Sequence, residues 1–158
     1  MLSGLPTSPH YHARVRYQRE IEVPVAAEDA FAYLSDFANA AEWDPGIAES
    51  RRLTPAPTAV GSRFEVVAVF RGNRQRFEYV VTELDAGRRV ALRGDGEKAT
   101  SDDVITVTSS GAGSRIGYTA DLRLKGVYRV AEPFLGSTFR RMGDDALDGL
   151  AARLARPE

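Results

Sequence analysis

The chain has 158 residues, of which 43% are hydrophobic and 27% charged, a balance that is typical of a globular domain and excludes collagen, a coiled coil and a disordered chain. Its 21 basic and 22 acidic residues leave a net charge of -1, so no overall field would concentrate nucleic acid or anionic lipid. Because cysteine is absent, disulfides, thiolate nucleophiles, iron–sulfur clusters and cysteine-bound zinc are excluded.

The chain begins with a strand and short helices. From Ala13 to Val23 apolar and polar residues alternate, which predicts a half-buried strand. Pro24 ends this strand, and from Glu28 onward apolar residues recur every three or four positions, which predicts a short helix. One further helical turn fits before Pro45, where a Trp-Asp-Pro-Gly sequence ends it. We therefore predict two short helices after the first strand.

Consecutive antiparallel strands are predicted in the middle of the chain. Gly72 and Asn73 favour a two-residue hairpin turn, because both residues tolerate positive φ. The resulting register places six apolar residues on one face, in the pairs Phe64 with Val81, Val66 with Tyr79, and Ala68 with Phe77. Further strands are predicted over 48–53, 90–92, 104–107 and 115–124. The side of the 104–107 strand that faces inward stays open.

A long amphipathic helix is predicted at the end of the chain. After Gly126, apolar residues recur at helical spacing for about 28 residues, with Pro133 at the start of the helix or at a kink. The order of elements indicates the α+β class. Only this helix is long enough to cover the apolar face of a curved sheet, and space left between the two would be a pocket. We interpret residues 12–156 as one such domain and residues 1–11 as a flexible lead-in.

Two stretches of the chain resemble a known family. The segment IEVPVAAEDAFAYLSDFANAAEWDPGI resembles the opening of the SRPBCC superfamily, which includes START domains, pollen-allergen-like proteins and polyketide cyclases/dehydrases. The segment KGVYRVAEPFLGSTFRRMGDDALDGLAARL resembles the closing helix of its bacterial members. The resemblance implies a helix-grip fold, in which a curved seven-stranded antiparallel sheet wraps around the C-terminal helix and encloses a hydrophobic cavity.

Motifs that often carry chemistry are weak in this chain. His10 and His12 lie two residues apart near the N-terminus without a carboxylate partner, so we interpret them as surface residues rather than as metal ligands or members of a catalytic triad. The pairs Asp102–Asp103 and Asp144–Asp145 lack the ligand series of a calcium loop and are interpreted as solvated turns. The sequence GDGEKAT lacks the spacing of a phosphate-binding loop and indicates a turn. We expect neither a metal nor a cofactor.

Charge and hydropathy limit the expected partners. Arg71, Arg74 and Arg76 make the predicted hairpin tip basic, and Phe70 and Phe77 lie close by, as in readers of single-stranded nucleic acid. Because the predicted register turns these rings toward the core, we expect no nucleic-acid partner. No apolar run approaches the ~18 residues of a membrane helix, and the opening lacks a signal-peptide pattern, so we expect a cytoplasmic protein without a membrane segment. A homodimer is compatible with the sequence.

Charged residues on the apolar side of a strand are candidates for ligand contact. Arg19 falls on the apolar side of the first strand, where an unpaired charge is costly. It either reaches water at a bulge or strand end, or anchors an anionic group of a ligand. Glu83 shares the inward side of its strand and is either an acid/base group or a surface residue beside an inward-turned Leu84.

Aromatic and helical residues complete the predicted site. Three tyrosines lie on inward sides of strands, and each combines an apolar ring with a polar tip. In the resembling family the region of Trp43 rims the cavity mouth, although this residue could equally close the core. Core packing is the alternative for every other member. The predicted ligand-binding residues are Tyr17, Arg19, Trp43, Phe64, Val66, Phe77, Tyr79, Tyr118, Phe134, Thr138 and Met142.

Two functions from different classes fit a hydrophobic cavity. The first is binding of a hydrophobic small molecule, such as a lipid, a polyketide or an aromatic metabolite. The alternative is a polyketide cyclase/dehydratase of the aromatase type, in which the cavity shape folds the substrate and Arg19 and the tyrosines stabilise an enolate. The sequence offers no evident general base. Binding is therefore the favoured function, and whether a reaction is catalysed stays open.

Overall fold

Seven strands form a single antiparallel sheet. The computed structural model describes residues 14–155, and the strands lie side by side in the order β1-β7-β6-β5-β4-β3-β2. Their bounds are β1 Val15–Val23, β2 Ile47–Arg52, β3 Arg63–Phe70, β4 Asn73–Asp85, β5 Arg89–Gly96, β6 Ala99–Ser110 and β7 Gly113–Leu124. From β2 to β7 each strand pairs with its neighbour in the sequence, as short connections favour. The first strand pairs instead with the last.

Helices cover one face of this sheet. Between β1 and β2 lie α1 (Ala27–Ser35), a 3-10 turn (Phe37–Asn39) and α2 (Ala40–Trp43). After β7, a second 3-10 turn (Gly126–Ala131) leads directly into α3 (Glu132–Leu154). The α+β class and the helix-grip arrangement are therefore confirmed, with a 3-10 turn in place of the first residues of the predicted long helix. No helix within residues 14–155 has the length and apolar character needed to span a membrane.

The β3–β4 hairpin differs from its predicted register by two residues. Phe64 pairs with Tyr79 rather than with Val81. The two turn residues are Arg71 and Gly72, with φ of 49° and 81°, so the pair with positive φ begins one residue earlier than the predicted Gly-Asn pair. Because side chains alternate with a period of two, a shift of two residues leaves the same side chains on the inward face.

The two aspartate pairs do not form turns, and this prediction is wrong. Asp102–Asp103 lies in the middle of β6, where the odd-numbered residues from Ala99 to Val107 are buried and the residues between them are half-buried. Asp144–Asp145 lies within α3 and is exposed. The inward side of β6, which the sequence left open, is therefore the one that carries Asp103.

An irregularity in β4 decides the position of Glu83. The register of β4 and β5 shifts between Val81 and Glu83, as at a β-bulge. Leu84 then packs against the core, while the exposed Glu83 lies 3.3 Å from the guanidinium of Arg89. Of the two interpretations of Glu83, the one that places it at the surface is correct.

The space between sheet and helices divides into two halves. At one end α1 packs against β6 and β7, and fully buried side chains fill the interior; these are Leu34, Val81, Val90, Ile105, Val107, Ile116 and Leu150. We call this end the packed half. At the other end, toward the β3–β4 hairpin and the start of α3, the sheet and α3 leave an empty space. We call this end the hollow half.

Candidate functional site

The hollow half contains a cavity of about 370 Å³. This volume lies in the range of small-molecule sites, which begins at roughly 300 Å³. Most of its walls are apolar, and the aliphatic and phenylalanine side chains that line it include Val66, Ala68, Phe70, Phe77, Ala120, Leu122, Leu124, Leu135, Phe139 and Met142. Together these side chains form a largely apolar chamber between the sheet and α3.

Glycines in the walls make room for aromatic rings. Gly94 pairs with Tyr79 across β4 and β5, and a Cβ at this glycine would overlap the tyrosine ring. Gly143 of α3 stands in the same relation to the ring of Tyr17. Because no side chain occupies these positions, both rings lie against backbone and the chamber in front of them stays open.

A buried carboxyl group lies at the inner end of the cavity. Asp103 is 4% exposed, and on β6 it is the last lining residue before Ile105, which belongs to the packed half. The Ser101 hydroxyl donates a hydrogen bond of 2.6 Å to Oδ1 of Asp103, and the Tyr118 hydroxyl donates to Oδ2. Burial raises the pKa of Asp103 to about 6, while these two hydrogen bonds lower it. This carboxyl can therefore bind or release a proton near neutral pH.

A second carboxyl group, that of Asp44, lines the same cavity. Asp44 follows α2 directly, and its Oδ1 accepts a hydrogen bond of 2.8 Å from the Gly46 N–H. Burial raises the pKa of Asp44 to about 6; the Gly46 hydrogen bond lowers it, and the charges of Asp103 and Asp145 raise it. The charge of Asp103 thus disfavours ionisation of Asp44.

Tyr79 and Tyr118 lie near these carboxyl groups, and Tyr17 lines the same cavity. Burial raises the pKa of Tyr79 and of Tyr118 well above 10, and the charge of Asp103 acts in the same direction, so both hydroxyls stay protonated. The Tyr17 hydroxyl donates a hydrogen bond of 2.8 Å to Oδ1 of Asp144. Burial, together with this bond, raises the pKa of Tyr17 to about 12. Tyr17 therefore offers its ring to the cavity while its hydroxyl is held by α3.

The structure brings part of the predicted site together. Among the predicted ligand contacts, those that line the cavity are Tyr17, Val66, Phe77, Tyr79, Tyr118 and Met142. Contact between these residues and a ligand stays a prediction. Arg19, Trp43, Phe64, Phe134 and Thr138 do not line the cavity, and each has a physical reason to lie elsewhere.

Arg19 is held at the surface by acidic residues of α3. Its guanidinium lies 2.9 Å from Oδ1 of Asp148 and 3.7 Å from Oδ1 of Asp144, and it also donates to the backbone carbonyl of Asp144. The side chain is 34% exposed. The charge on the apolar side of β1 is thus compensated at a water-accessible edge, and the predicted role of Arg19 as an anion anchor inside the cavity is wrong.

Trp43 and Phe64 belong to the packed core. Trp43 is 3% exposed, and its ring meets the ring of Tyr118 edge-on at 6.0 Å between centroids. Phe64 is completely buried, with the ring of Phe37 6.3 Å away and the guanidinium of Arg52 above its ring. Of the two interpretations of Trp43, closure of the core is the correct one.

Phe134 and Thr138 lie outside the cavity mouth. Phe134 is 76% exposed, and the Thr138 hydroxyl accepts a hydrogen bond from Arg71. The predicted helix face used a spacing of four residues, which drifts by about 40° per step because an α-helix has 3.6 residues per turn. Leu135 and Phe139 line the cavity instead.

The opening of the cavity combines basic and apolar groups. Arg76 and Lys98 lie on its rim, and the Lys98 ammonium is 5.3 Å from the centre of the Tyr128 ring. Val127 and Val130 of the second 3-10 turn are 77% and 78% exposed. The mouth therefore carries Arg76 and Lys98 together with the carboxylate of Glu97, whereas the lining charges at the inner end are the carboxyl groups of Asp44 and Asp103.

Asp44 and Asp103 are the polar site residues that the sequence analysis missed. Asp103 shares the odd-numbered side of β6 with Ile105 and Val107. A charged residue on the apolar side of a strand is the signal that singled out Arg19, and the same signal marks Asp103 once the inward side of β6 is known. Nothing comparable marks Asp44, which lies in a turn-forming sequence.

Among the described residues, the acidic side chains of the cavity do not form a metal-binding group. Among residues 14–155, no group of three or more histidine, cysteine, aspartate or glutamate side chains could hold a metal ion. His10 and His12 lie outside the described residues. The polar side chains that line the cavity away from its mouth include Asp44, Asp103, Ser101, Tyr17, Tyr79 and Tyr118.

Comparison with known proteins gives matches over nearly all of the described chain. A family described as polyketide cyclase/dehydrase and lipid transport matches residues 14–155. An uncharacterised protein of Mycobacterium tuberculosis is 31% identical over 104 residues, which are 64% of this chain and 71% of that protein.

Solved structures share the fold. A START superfamily protein from Mycobacterium smegmatis superposes with a TM-score of 0.69 at 17% identity, over 89% of this chain and 94% of that one. The Zhui aromatase/cyclase from a Streptomyces species superposes with a TM-score of 0.73 at 13% identity, over 89% and 93%. At such identities these similarities establish the architecture alone.

Proposed function

This chain belongs to the polyketide cyclase/dehydrase and lipid transport family, and on that basis we propose that it binds a hydrophobic small molecule in the cavity between its sheet and α3. The observation that carries the proposal is the largely apolar space of about 370 Å³ beside a fully packed core. Lipids, polyketides and aromatic metabolites are the ligand classes that such a chamber suits.

Burial of apolar surface would supply the affinity. Removing one CH₂ group from water contributes about 0.8 kcal/mol, and a ligand in this cavity would contact aromatic and aliphatic walls on both sides. Phe77 and Tyr79 form part of the sheet wall, while Phe139 and the flexible Met142 form part of the helix wall. A planar or chain-like apolar body fits between these two walls.

Binding of a neutral apolar probe tests the proposal. Phenylnaphthylamine, whose fluorescence rises on leaving water, should bind the wild-type protein. Ala120→Leu places a larger side chain in the cavity and should weaken probe binding at least tenfold. Ala48→Leu, the same change at an exposed position of β2, is the matched control and should leave the affinity unchanged. A wild-type protein that does not bind the probe, or equal affinities for the wild type and Ala120→Leu, would overturn the proposal.

The natural ligand can be sought directly. Native mass spectrometry of the protein purified from its own host should reveal a co-purifying small molecule with a mass compatible with the cavity. The Ala120→Leu variant should carry less of it. A ligand retained equally by both proteins would place the binding site elsewhere.

The two cavity carboxyls favour a second function, the cyclisation or dehydration of a polyketide. Dehydration of a β-hydroxy ketone needs a base that removes the proton beside the carbonyl and an acid that protonates the departing hydroxyl, which leaves as water. Asp44 and Asp103, whose pKa values are each about 6, could supply one group in each protonation state. This differs from the predicted mechanism, in which Arg19 stabilised an enolate.

An aryl β-hydroxy ketone tests the second function, because loss of water creates a conjugated enone with strong ultraviolet absorbance. If the protein is a dehydratase, Asp103→Asn should lower the rate at least 100-fold. Asp102→Asn, the neighbouring substitution on the opposite face of β6, should leave the rate unchanged. A wild-type rate equal to that of buffer argues against dehydration of this substrate class.

A further inference from the structure

We propose that the cavity selects ligands in which an apolar body carries a protonated amine, with the amine held by Asp103 and Asp44 at the inner end, and that it discriminates against ligands ending in a carboxylate. This inference rests on the proposed function, since it requires that the cavity admit a small molecule. Beyond that function, it specifies the chemical class of the polar group that the ligand carries.

Charge is distributed unevenly along the cavity. Among the lining residues the cations are Arg76 and Lys98, and both lie at the mouth, where the exposed Glu97 adds one carboxylate. The guanidinium of Arg76 is paired with Glu65, and the ammonium of Lys98 lies over the ring of Tyr128. The inner end has two carboxyl groups and no lining cation. A negatively charged ligand group that reaches this end therefore meets only like charge.

Arg19, which lies on the apolar side of β1, is already paired with carboxylates of α3. Its guanidinium pairs with Asp148 and Asp144 on the outer side of α3. A ligand carboxylate would have to break these pairs and draw the side chain inward to gain a cationic partner. The carboxyls of the inner end thus have no arginine of their own to neutralise them.

Hydrogen-bonding capacity points to a donor-rich ligand group. An ionised carboxyl has roughly four acceptor sites; Asp103 accepts from Ser101 and Tyr118, and Asp44 accepts from Gly46. Both carboxyls thus retain acceptor sites. A protonated amine brings three donors and no acceptor, which complements them.

The number of available donors and acceptors also disfavours a ligand carboxylate, because a carboxylate can only accept hydrogen bonds. The hydroxyl of Tyr118 already donates to Asp103, and the hydroxyl of Tyr17 already donates to Asp144. A carboxylate at the inner end would therefore compete with protein carboxylates for two of the three tyrosine hydroxyls of the cavity, and Tyr79 alone donates to no protein carboxylate. It would also lose its hydration without gaining a positive partner, which is costly in a buried site.

Three ligands with the same aromatic body separate these effects. Naphthylethylamine, naphthylethanol and naphthylacetate carry a cationic, a neutral and an anionic group, and titration calorimetry at neutral pH and low salt gives the affinity of each. We expect the amine to bind at least tenfold more tightly than the alcohol, and the carboxylate at least tenfold more weakly. A carboxylate that binds as tightly as the amine would overturn the inference.

Substitutions at Asp103 and Asp44 test whether these two carboxyls cause the preference for the amine. Asp103→Asn and Asp44→Asn each keep the shape of the side chain and remove its charge, so each should bring the amine and the alcohol to within about threefold of one another. Asp102→Asn, on the opposite face of β6, should keep the full preference for the amine. If both cavity variants also keep it, the amine is held elsewhere and the inference fails.

The neutral alcohol serves as the fold control for every variant. A variant that no longer binds the alcohol is set aside, and the wild-type comparison of the three ligands then decides the inference alone. If neither the alcohol nor phenylnaphthylamine binds the wild-type protein, the proposed function has failed as well. If both bind without a preference for the amine, only the inference has failed.

Discussion

The packed half and the hollow half are built from the same strands and the same helix, yet one is filled and the other is empty. Along β7, Ile116 is completely buried in the packed half, whereas Ala120 lines the cavity two alternations later. Along α3, Leu150 fills the packed half and Gly143 faces the hollow half. Stability and binding capacity are thus separated along each element, because the packed half can hold the fold while the other end stays open.

The largest effect on stability is expected from a substitution in the packed half. Leu150→Ala should lower the free energy of unfolding by about 3–5 kcal/mol, since a fully buried leucine leaves a new cavity when truncated. Leu135→Ala, on the same helix beside the existing cavity, should cost only about 1–2 kcal/mol because its side chain already lacks neighbours on one side. Urea denaturation measures both values, and equal losses would contradict a division into two halves.

The pH dependence of the free energy of unfolding tests Asp103, which lies where the two halves meet. Burial raises the pKa of Asp103 from 3.8 to about 6, so between these values the folded protein binds a proton that the unfolded chain releases. The stabilising contribution is complete below about pH 4 and is lost as the pH rises to about 6. At 1.36 kcal/mol per pKa unit, the loss is about 3 kcal/mol.

Asp103→Asn removes this titration. The free energy of unfolding of the variant relative to the wild type should therefore rise by up to about 3 kcal/mol between about pH 4 and pH 7. Asp102→Asn, measured in parallel by urea denaturation, should lack a rise of this size. A difference between Asp103→Asn and wild type that is independent of pH would show that this carboxyl is not perturbed.

The smallest effect is expected at the outer edge of the hollow half. Arg19→Gln removes a partly exposed ion pair with Asp148 and should cost about 0–1 kcal/mol, less at high salt. The affinity for phenylnaphthylamine should stay within twofold of wild type, because Arg19 does not line the cavity. A tenfold loss of affinity would instead return Arg19 to the binding site.

Local patterns in the sequence were sufficient for the elements but not for the site. Alternation and helical spacing predicted the strands, the short helices and α3, since both periods reflect burial of one face. The hairpin register was wrong by two residues because Arg71, rather than Asn73, shares the turn with Gly72. That error did not change which side chains face inward.

The cavity itself depends on distances between elements, which no local pattern contains. Whether Phe134 or Leu135 points inward depends on how α3 is rotated against the sheet, and the structure exposes the first and buries the second. Asp103 lies in a strand whose inward side the sequence left open, and its burial among Ile105, Val107 and the hydroxyl of Tyr118 is evident only in the assembled sheet.

The pairing of β1 with β7 has a consequence for the order of events during synthesis. Val15 lies opposite Leu122, so β1 finds this neighbour only after the six strands from β2 to β7 have been made. Such pairing of distant segments slows folding, because a long loop must close before the contact is gained. The chamber therefore becomes enclosed only when β7 and α3 emerge, and a nascent chain has no site for a ligand until α3 has been translated.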